Sequence, residues 1–374
     1  MISKLQLTLL IGPVVTVPAP AEVVDAFQSA QVTVTAGQRT GFQMTFAVSR
    51  TSLLMTTLIP AGYFDPGIRV ILVVTVNGIP TPVIDGLITR QEIGVSDSIG
   101  QSVLTVTGED VSVAMDLIKW QGIPMPPSPA AGRVTMIIAF YAMFGMIPLV
   151  IPELFPSIPL PTDRIEMQQG THLEYINKLA QDNGYVFYVD PGPVPGTNTA
   201  YWGPEIRIGI PQPALNVDFD SDSNVTSLNF SYDGLARSTY ITTIQEQMTK
   251  LPIPIPIPDI DPLKPPLAIK PAPALRVDLT DDTAKLNPVE ALGRSVARAS
   301  ASADAVTAQG QLDVARYGHV LKARSLVGVR GAGTAYDGLY YVKSVTHNIK
   351  RGEYTQSFTL ARNGLISITP KVVP

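Results

Sequence analysis

The sequence contains no cysteine. A disulfide framework, a thiolate nucleophile and a zinc site with cysteine ligands are therefore excluded. Charged residues are also scarce, at 16% of the 374 residues where about 25% is usual. Since the hydrophobic fraction of 45% is ordinary, much of the surface must be uncharged. Such a surface favours wide protein–protein interfaces over a free monomer.

An excess of positive charge is absent as well. The chain carries 27 Lys and Arg against 31 Asp and Glu, which gives a net charge of −4. No basic field exists to hold nucleic acid by counterion release, so we expect no nucleic-acid binding. Basic residues outnumber acidic ones between Lys285 and Arg330. This local bias indicates a solvated face or a subunit contact.

Catalytic and metal-binding motifs are missing too. The histidines are His172, His319 and His347, which lie in three different segments, and the sequence has no HExxH, GxSxG or Walker motif. His172 falls in the first turn of a predicted helix and His347 on a predicted strand, which are ordinary places for structural histidines. We therefore predict no catalytic residue, no metal site and no cofactor.

Two weaker patterns imitate known sites. The acidic run 218–222 opens like a calcium loop, but Ser223 stands where such a loop needs glycine. We interpret this run as an acidic turn. Residues 328–333 contain three glycines, yet Tyr336 occupies the place of the last glycine of a dinucleotide-binding loop. This patch is predicted to be a turn between strands.

Glycine and proline are abundant, with 29 and 34 residues, which indicates many turns and short strands. Segments rich in Val, Ile, Thr and Phe fill much of the first hundred residues. They are 31–35, 41–48, 68–76, 81–93 and 101–108. Strands at this spacing predict a β-barrel or a sandwich over residues 1–118. A short helix over about 110–119 is expected to end this domain.

The amino-terminal 21 residues imitate a signal peptide, with Lys4 before an apolar stretch. Gln6 and Thr8 interrupt that stretch. Leu5, Leu7 and Leu9 recur at every second position. A period of two is the pattern of a half-buried strand. We therefore predict a strand here.

Residues 134–152 imitate a membrane span, because they carry no charge. Gly145 and Pro148 break the second half of this stretch, so a helix would reach only from about Ala130 to Phe144. That length is too short to cross a bilayer. We predict a buried helix that faces another subunit, and no stable membrane insertion.

A middle domain over 119–215 is predicted to mix helix and strand. Thr171 and Glu174 form a capping-box pattern, which predicts a helix start, and the glycine at 184 supplies its stop. The segments 185–190 and 201–211 are interpreted as the two strands of a hairpin that follows this helix.

The remaining residues, 216–374, are predicted to form a second β-rich domain. A Pro-rich loop at 251–273 contains nine prolines, so its backbone must be extended and cannot be a central strand. A stiff surface excursion and a docking ligand for a partner's aromatic groove are both open readings of it. The sequence from Asn287 predicts a helical insertion over about 288–305. Three strand-like segments follow, at 319–331, 337–349 and 353–362.

An internal repeat is visible in short strings. Asp-Gly-Leu at 85–87 heads a strand whose return strand begins with Gln-Ser at 101–102. Asp-Gly-Leu at 337–339 likewise heads a strand whose return strand contains Gln-Ser at 356–357. The order of strand, turn and return strand thus recurs at both ends of the chain. It predicts two related β-barrels.

Three stretches carry a resemblance to a known family. They are 316–365, where an aromatic-rich strand reaches Val345-Thr346-His347 and a basic turn leads to Phe358-Thr359-Leu360-Ala361-Arg362, then 167–190, and 106–118. By these residues the chain resembles the baseplate hub proteins of contractile phage tails and phage-like injection systems. These late-control hub proteins are related to the amino-terminal part of type VI valine-glycine-repeat spike proteins.

The resemblance implies a mainly β fold with an α+β middle region. It implies a homotrimer in which two related, tube-like β-barrels per chain form a pseudo-six-fold ring. It also implies a structural, non-enzymatic symmetry adaptor that joins the hexameric inner tube to the trimeric spike. Its partners would be the inner tube ring, a separate spike protein and other baseplate components. Such a particle is assembled in the cytoplasm and can be released from the cell.

Two alternatives remain open. One is a tail-associated cell-wall hydrolase, which the family neighbourhood supports, although the sequence offers no acid–base motif. The other is a membrane-anchored or secreted binding protein, which would rest on the two apolar stretches.

Overall fold

Alternating apolar and polar residues give each long strand one face for a shared core, and the computed structural model of the protein follows this pattern. The structure describes residues 5–94, 102–154, 156, 166–218, 223–245, 252–257, 264–280 and 304–369. The predicted helical insertion at about 288–305 lies almost wholly outside the described residues.

The amino-terminal part of the chain, residues 5–116, is a set of antiparallel strands and is called the first half. Its elements are β1 (Leu5–Gly12), β2 (Val17–Pro18), α1 (Ala21–Ala26), β3 (Phe27–Thr35), β4 (Gly41–Val48), a π-helical turn (Leu54–Leu58), β5 (Arg69–Val76), β6 (Ile79–Gly94), β7 (Ser102–Asp110) and a 3₁₀ turn (Val111–Asp116). The strand predicted at the amino terminus is confirmed, since β1 pairs with β5. The helix predicted over 110–119 is only the 3₁₀ turn, which Asp110 caps by accepting from the amide of Ser112.

The middle region packs two helices on short strands. Its elements are β8 (Trp120–Pro124), α2 (Ala130–Ala139), a 3₁₀ turn (Ala142–Phe144), β9 (Met146–Val150), β10 (Met167–Gly170), α3 (His172–Asn183), β11 (Val186–Pro191) and β12 (Asn198–Gly203). The capping box of α3 is confirmed, because the Thr171 and Glu174 side chains each bond the other's backbone N–H. The second hairpin strand is shorter than predicted. It ends before Pro204, which has no N–H for a ladder.

Gly145 separates the uncharged stretch into two elements. It adopts a left-handed conformation with φ of 73°, and a Cβ atom there would lie 2.0 Å from the Gly196 carbonyl oxygen. The chain therefore turns from α2 into β9, which pairs in parallel with β12. Among the described helices, none is long and apolar enough to cross a membrane.

The carboxy-terminal part, residues 212–367, is again rich in antiparallel strands and is called the second half. Its elements are β13 (Gln212–Asn216), β14 (Val225–Tyr232), β15 (Ser238–Gln245), β16 (Pro252–Ile257), β17 (Ala268–Pro271), β18 (Arg276–Thr280), β19 (Val306–Asp313), α4 (Val314–Tyr317), β20 (Leu326–Arg330), β21 (Gly338–Lys350), β22 (Glu353–Arg362) and β23 (Gly364–Ser367). β13, at the predicted domain boundary, pairs with β20 of this half.

The Pro-rich segment is not a loop throughout. Its prolines at 252, 254 and 256 alternate with isoleucines in β16, which lies at the edge of a three-stranded sheet. An edge strand tolerates this pattern, because alternate residues direct their backbone groups away from the sheet. The later part packs into the fold, since Leu267 and Ala272 are buried and β17 pairs with β23. The expectation of an exposed excursion is therefore wrong for Leu267, Ala268 and Ala272, whereas residues 269–271 between them are exposed.

Both halves join in one thirteen-stranded sheet. In the first half, β3 pairs with β4, β4 with β7, β7 with β6 and β6 with β5. In the second half, β14, β19, β22, β21 and β20 follow in the same order, also antiparallel. β21 then pairs with β3 and connects the halves. A continuous hydrophobic core lies under both.

The bulges of the two halves also correspond. β3 has one at Gln28 and β14 has one at Thr226, while β6 has one at Thr89 and β21 has one at Lys343. In each half, a path of residues paired across the strands begins one residue after the first bulge. Both paths end three residues after the second bulge. The paths are Ser29, Thr45, Thr105, Glu92 and Ser227, Gln311, Ser357, Thr346. The repeat is thus present in strand order and register.

This register corrects the alignment drawn from the two Asp-Gly-Leu strings. It places Asp85 level with Leu339 and not with Asp337, two residues away. The equivalent positions are therefore not the identical ones. The identical strings identified the equivalent strands, although the strings themselves are not at equivalent positions.

Candidate functional site

The histidines are structural where the structure describes them. His172 is stacked on Trp120, and its Nδ1 lies 2.8 Å from the Tyr141 hydroxyl. Burial lowers the pKa of His172 below its usual value. Its imidazole is therefore neutral at pH 7 and serves packing.

His347 lies on β21 and is buried. Its Nδ1 is 2.7 Å from the Tyr354 hydroxyl and 3.2 Å from the Gln356 amide nitrogen. Burial lowers the pKa of His347 to about 3. His319 lies apart from both and contacts the ring of Tyr317. Within the described residues, no three His, Asp or Glu side chains come together as metal ligands.

The two imitated motifs do not form sites in the described residues. Asp218 has φ of 56° in a bend, while residues 219–222 of the acidic run lie outside the described part of the chain. Gly331 and Gly333 both have φ of 90° in the turn between β20 and β21, where the amide of Tyr336 donates to the Gly333 carbonyl. Gly331 and Gly333 lie in a turn, as predicted, whereas Gly328 lies in β20 and pairs with Leu339.

A buried ion pair joins the first half to the middle region. Arg69 of β5 bonds both carboxylate oxygens of Asp85 of β6 at 2.7 Å. The same guanidinium donates to the carbonyls of Phe144 and Gly196 at 2.8 and 3.1 Å. The side-chain amide of Asn198 also donates to the Asp85 carboxylate, at 3.0 Å. These bonds fix the middle region against the sheet.

A second arginine connects all three parts of the chain. Arg324, just before β20, forms an ion pair with Asp190 of β11. It also donates to the carbonyls of Thr35 and Gln38 at 2.9 Å, and its guanidinium lies 4.0 Å from the ring centre of Tyr188. The two halves and the middle region therefore form one connected unit.

Neither cluster was predicted from the sequence. A signal was present for the first, because Arg69 and Asp85 are single charges of opposite sign within the apolar segments IRVILVVTV and TPVIDGLI. Charges in such strands are buried only when they are paired. No comparable signal points to Arg324, whose partners are backbone carbonyls and a distant carboxylate.

An apolar surface lies on the middle region. The inward side of α2 is buried through Val134 and Ile137, as predicted for this helix. Large apolar side chains remain exposed along the same stretch. They are Met136, Phe140, Met143, Ile147, Leu149 and Leu154. Exposed apolar groups at this density mark contact surfaces in soluble proteins.

Two strand edges are also open in the described residues. β14 pairs with β19 alone, and its outer edge carries no strand. β6 pairs with β5 only as far as Leu87, so its last residues, 89–94, have a free edge opposite β7. Open edges with unpaired backbone groups are natural sites for pairing with another chain.

The fold is that of phage tail and type VI secretion proteins. A tail protein from Neisseria meningitidis MC58 matches with a TM-score of 0.63 and 13% identity over 96% of this chain and 98% of that one. A 43 kDa tail protein of prophage MuSo2 from Shewanella oneidensis gives 0.59 and 13%, over 95% and 98%. An E. coli component of the type VI secretion system gives 0.54 and 10%, over 99% and 80%. No protein-family model and no curated protein matches the sequence. The resemblance seen in the sequence is confirmed at the level of the fold.

Proposed function

We propose that the protein is a structural baseplate hub of a contractile injection machine, either a phage tail or a phage-like particle. In this role it acts without catalysis, as a homotrimer that joins the hexameric inner tube to the trimeric spike. The observation that carries this proposal is the internal repeat, in which two sets of five strands share strand order, direction and bulges.

The repeat answers a symmetry problem. A six-fold tube ring placed directly on a three-fold spike would leave half of the tube subunits without an equivalent contact. Three chains that each contribute two similar units offer six near-equivalent surfaces to the tube. The same three chains offer three identical surfaces to the spike.

The arginine clusters support the same role. A part that transmits force between tube and spike must keep its repeats in a fixed relation. Arg69 and Arg324 hold the middle region against both halves through hydrogen bonds and an ion pair. The apolar surface along 136–154 is suited to contact a second copy, a separate spike protein or another baseplate component. We assign the protein to a particle that is assembled in the cytoplasm.

The first test is the mass in solution. We expect multi-angle light scattering of the purified chain to give about three times its 40.1 kDa mass, because the apolar surface and the open strand edges should be covered by other copies. A clean monomer at micromolar concentration, both alone and with a candidate spike protein added, would contradict the proposed trimer.

A further inference from the structure

The junction between the two halves of one chain has a defined pairing. Residues 344–350 of β21 pair antiparallel with 29–35 of β3, with Thr346 opposite Thr33. The two threonine hydroxyls lie 3.3 Å apart, and Gln31 donates to Asn348 at 3.0 Å. On the other face the pairing covers apolar and neutral side chains. They are Val345, His347, Ile349, Val32 and Ala30.

The two strands of this junction each have an equivalent whose corresponding edge pairs with no strand in the part of the chain that the structure describes. By the shared bulges, β6 is the equivalent of β21 and β14 is the equivalent of β3. The free edge of β6 at 89–94 corresponds to the part of β21 that pairs with β3. The outer edge of β14 corresponds to the edge of β3 that receives β21. The chain thus presents both halves of a second junction, one on β14 at one end of its sheet and one on the part of β6 that extends beyond β5.

We propose that β6 of one copy pairs antiparallel with β14 of the next copy, in the register of the internal junction. Glu92 then lies opposite Ser231, as Thr346 lies opposite Thr33. The pairing is head to tail, because the two edges differ, and such an interface closes into a ring when the rotation between copies allows it. A ring of three rests on the proposed function, whereas the pairing itself rests on the register.

The residues that this register brings together are chemically matched. Arg90 falls opposite Asp233, so two exposed side chains of opposite charge become cross-strand neighbours. Ile93, which is 38% exposed, falls opposite the half-buried Phe230. The positions that correspond to Ile93 and Phe230 in the internal junction are the buried His347 and Val32. A second copy would bury the apolar side of this edge in the same way.

The absence of cysteine makes the register directly testable. In the double variant Glu92→Cys/Ser231→Cys, residues directly opposite have Cα atoms about 4.5–5.5 Å apart, within the range that a disulfide spans. We expect mild oxidation to link most chains into covalent species that disappear on reduction, with the three-chain species as the largest. The internal pair Thr33→Cys/Thr346→Cys serves as the positive control, and it should lose its free thiols without a change in mass.

Matched variants test the register and the head-to-tail direction. Glu92→Cys/Ser227→Cys places the thiols four residues out of register, about 13 Å along the strand, and should not link. Glu92→Cys alone and Ser231→Cys alone should stay monomeric on a denaturing gel. Linking by a single variant, or equal linking by the misregistered pair, would overturn the proposed pairing.

The failure of this inference can be told apart from failure of the hub proposal. If light scattering gives a trimer but Glu92→Cys/Ser231→Cys does not link, the trimer stands and the β6–β14 pairing is wrong. If the pair links but the ladder continues beyond three chains, the pairing stands and the closed trimer is wrong.

Discussion

Replacing Arg69 with alanine should lower the free energy of unfolding by about 3–5 kcal/mol, because it leaves the buried carboxylate of Asp85 without its cation. Both side chains are almost fully buried, at 4% and 1% exposure. The substitution also removes the donor to the Phe144 and Gly196 carbonyls. Urea unfolding at pH 7 would measure the loss.

Two variants isolate the buried charge as the cause. Arg50→Ala removes an exposed arginine that lies in neither cluster, and we expect a change within about 0.5 kcal/mol. The double variant Arg69→Met/Asp85→Leu removes both charges and should recover much of the loss. An Arg69→Ala protein as stable as Arg50→Ala would show that the ion pair does not hold the middle region to the sheet.

The local effect of Arg69→Ala should be confined to one contact. The hydrogen bonds of this cluster hold Asn198 and the turn before it. The backbone amides of these residues should therefore exchange hydrogen faster in the variant than in the wild type. Amides of β22, which lie in the other half, should not change to the same degree. This pattern would identify the cluster as a clamp between parts of the chain.

Much of the fold follows from local sequence patterns. Strand alternation, the capping box at Thr171 and the break at Gly145 each depend on a few neighbouring residues, and each prediction is confirmed. The nine prolines excluded a central strand at 251–273, but the Pro-Ile alternation at 252–257 was interpreted as a loop and forms the edge strand β16. The burial of Leu267 could not be predicted, because its side chain packs with the distant Leu326 and Tyr341.

The correct repeat alignment was beyond the sequence. It depends on the bulges at Gln28 and Thr226, and on those at Thr89 and Lys343, which are properties of strand pairs and carry no residue signature here. Short identical strings were the only guide, and the Asp-Gly-Leu and Gln-Ser strings align two and three residues away from the structural equivalence. The assembly edge was missed for the same reason, since an edge is defined by the partner that a strand lacks.

Acidification should destabilise the protein through His347. Its pKa is about 3 in the folded chain and about 6.5 in the unfolded chain. Between these two values the unfolded state binds one proton more than the folded state. Stability is therefore fully present above pH 6.5 and falls by about 1.4 kcal/mol per pH unit below it, a loss of about 2–3 kcal/mol from pH 7 to pH 4.5.

The contribution of this residue can be separated by substitution. His347→Gln keeps a polar group beside the Tyr354 hydroxyl but cannot titrate, so its unfolding free energy should fall less steeply between pH 6.5 and 4.5. His172, whose pKa is also lowered by burial, keeps part of the slope. His319→Gln, at an exposed position, is the matched control for replacing a histidine by glutamine. Equal slopes in the wild type and His347→Gln would refute the assignment.

The position of His347 makes the acid effect specific to one junction. It lies opposite Val32, where β21 meets β3, so acid should first increase hydrogen exchange in residues 344–350. The equivalent position in the proposed junction between copies is Ile93, which does not titrate. At pH 4.5 the disulfide-linked Glu92→Cys/Ser231→Cys ring should therefore keep β6 protected while β21 opens within each chain. Faster exchange in 89–94 than in 344–350 would show that the two junctions are not built alike.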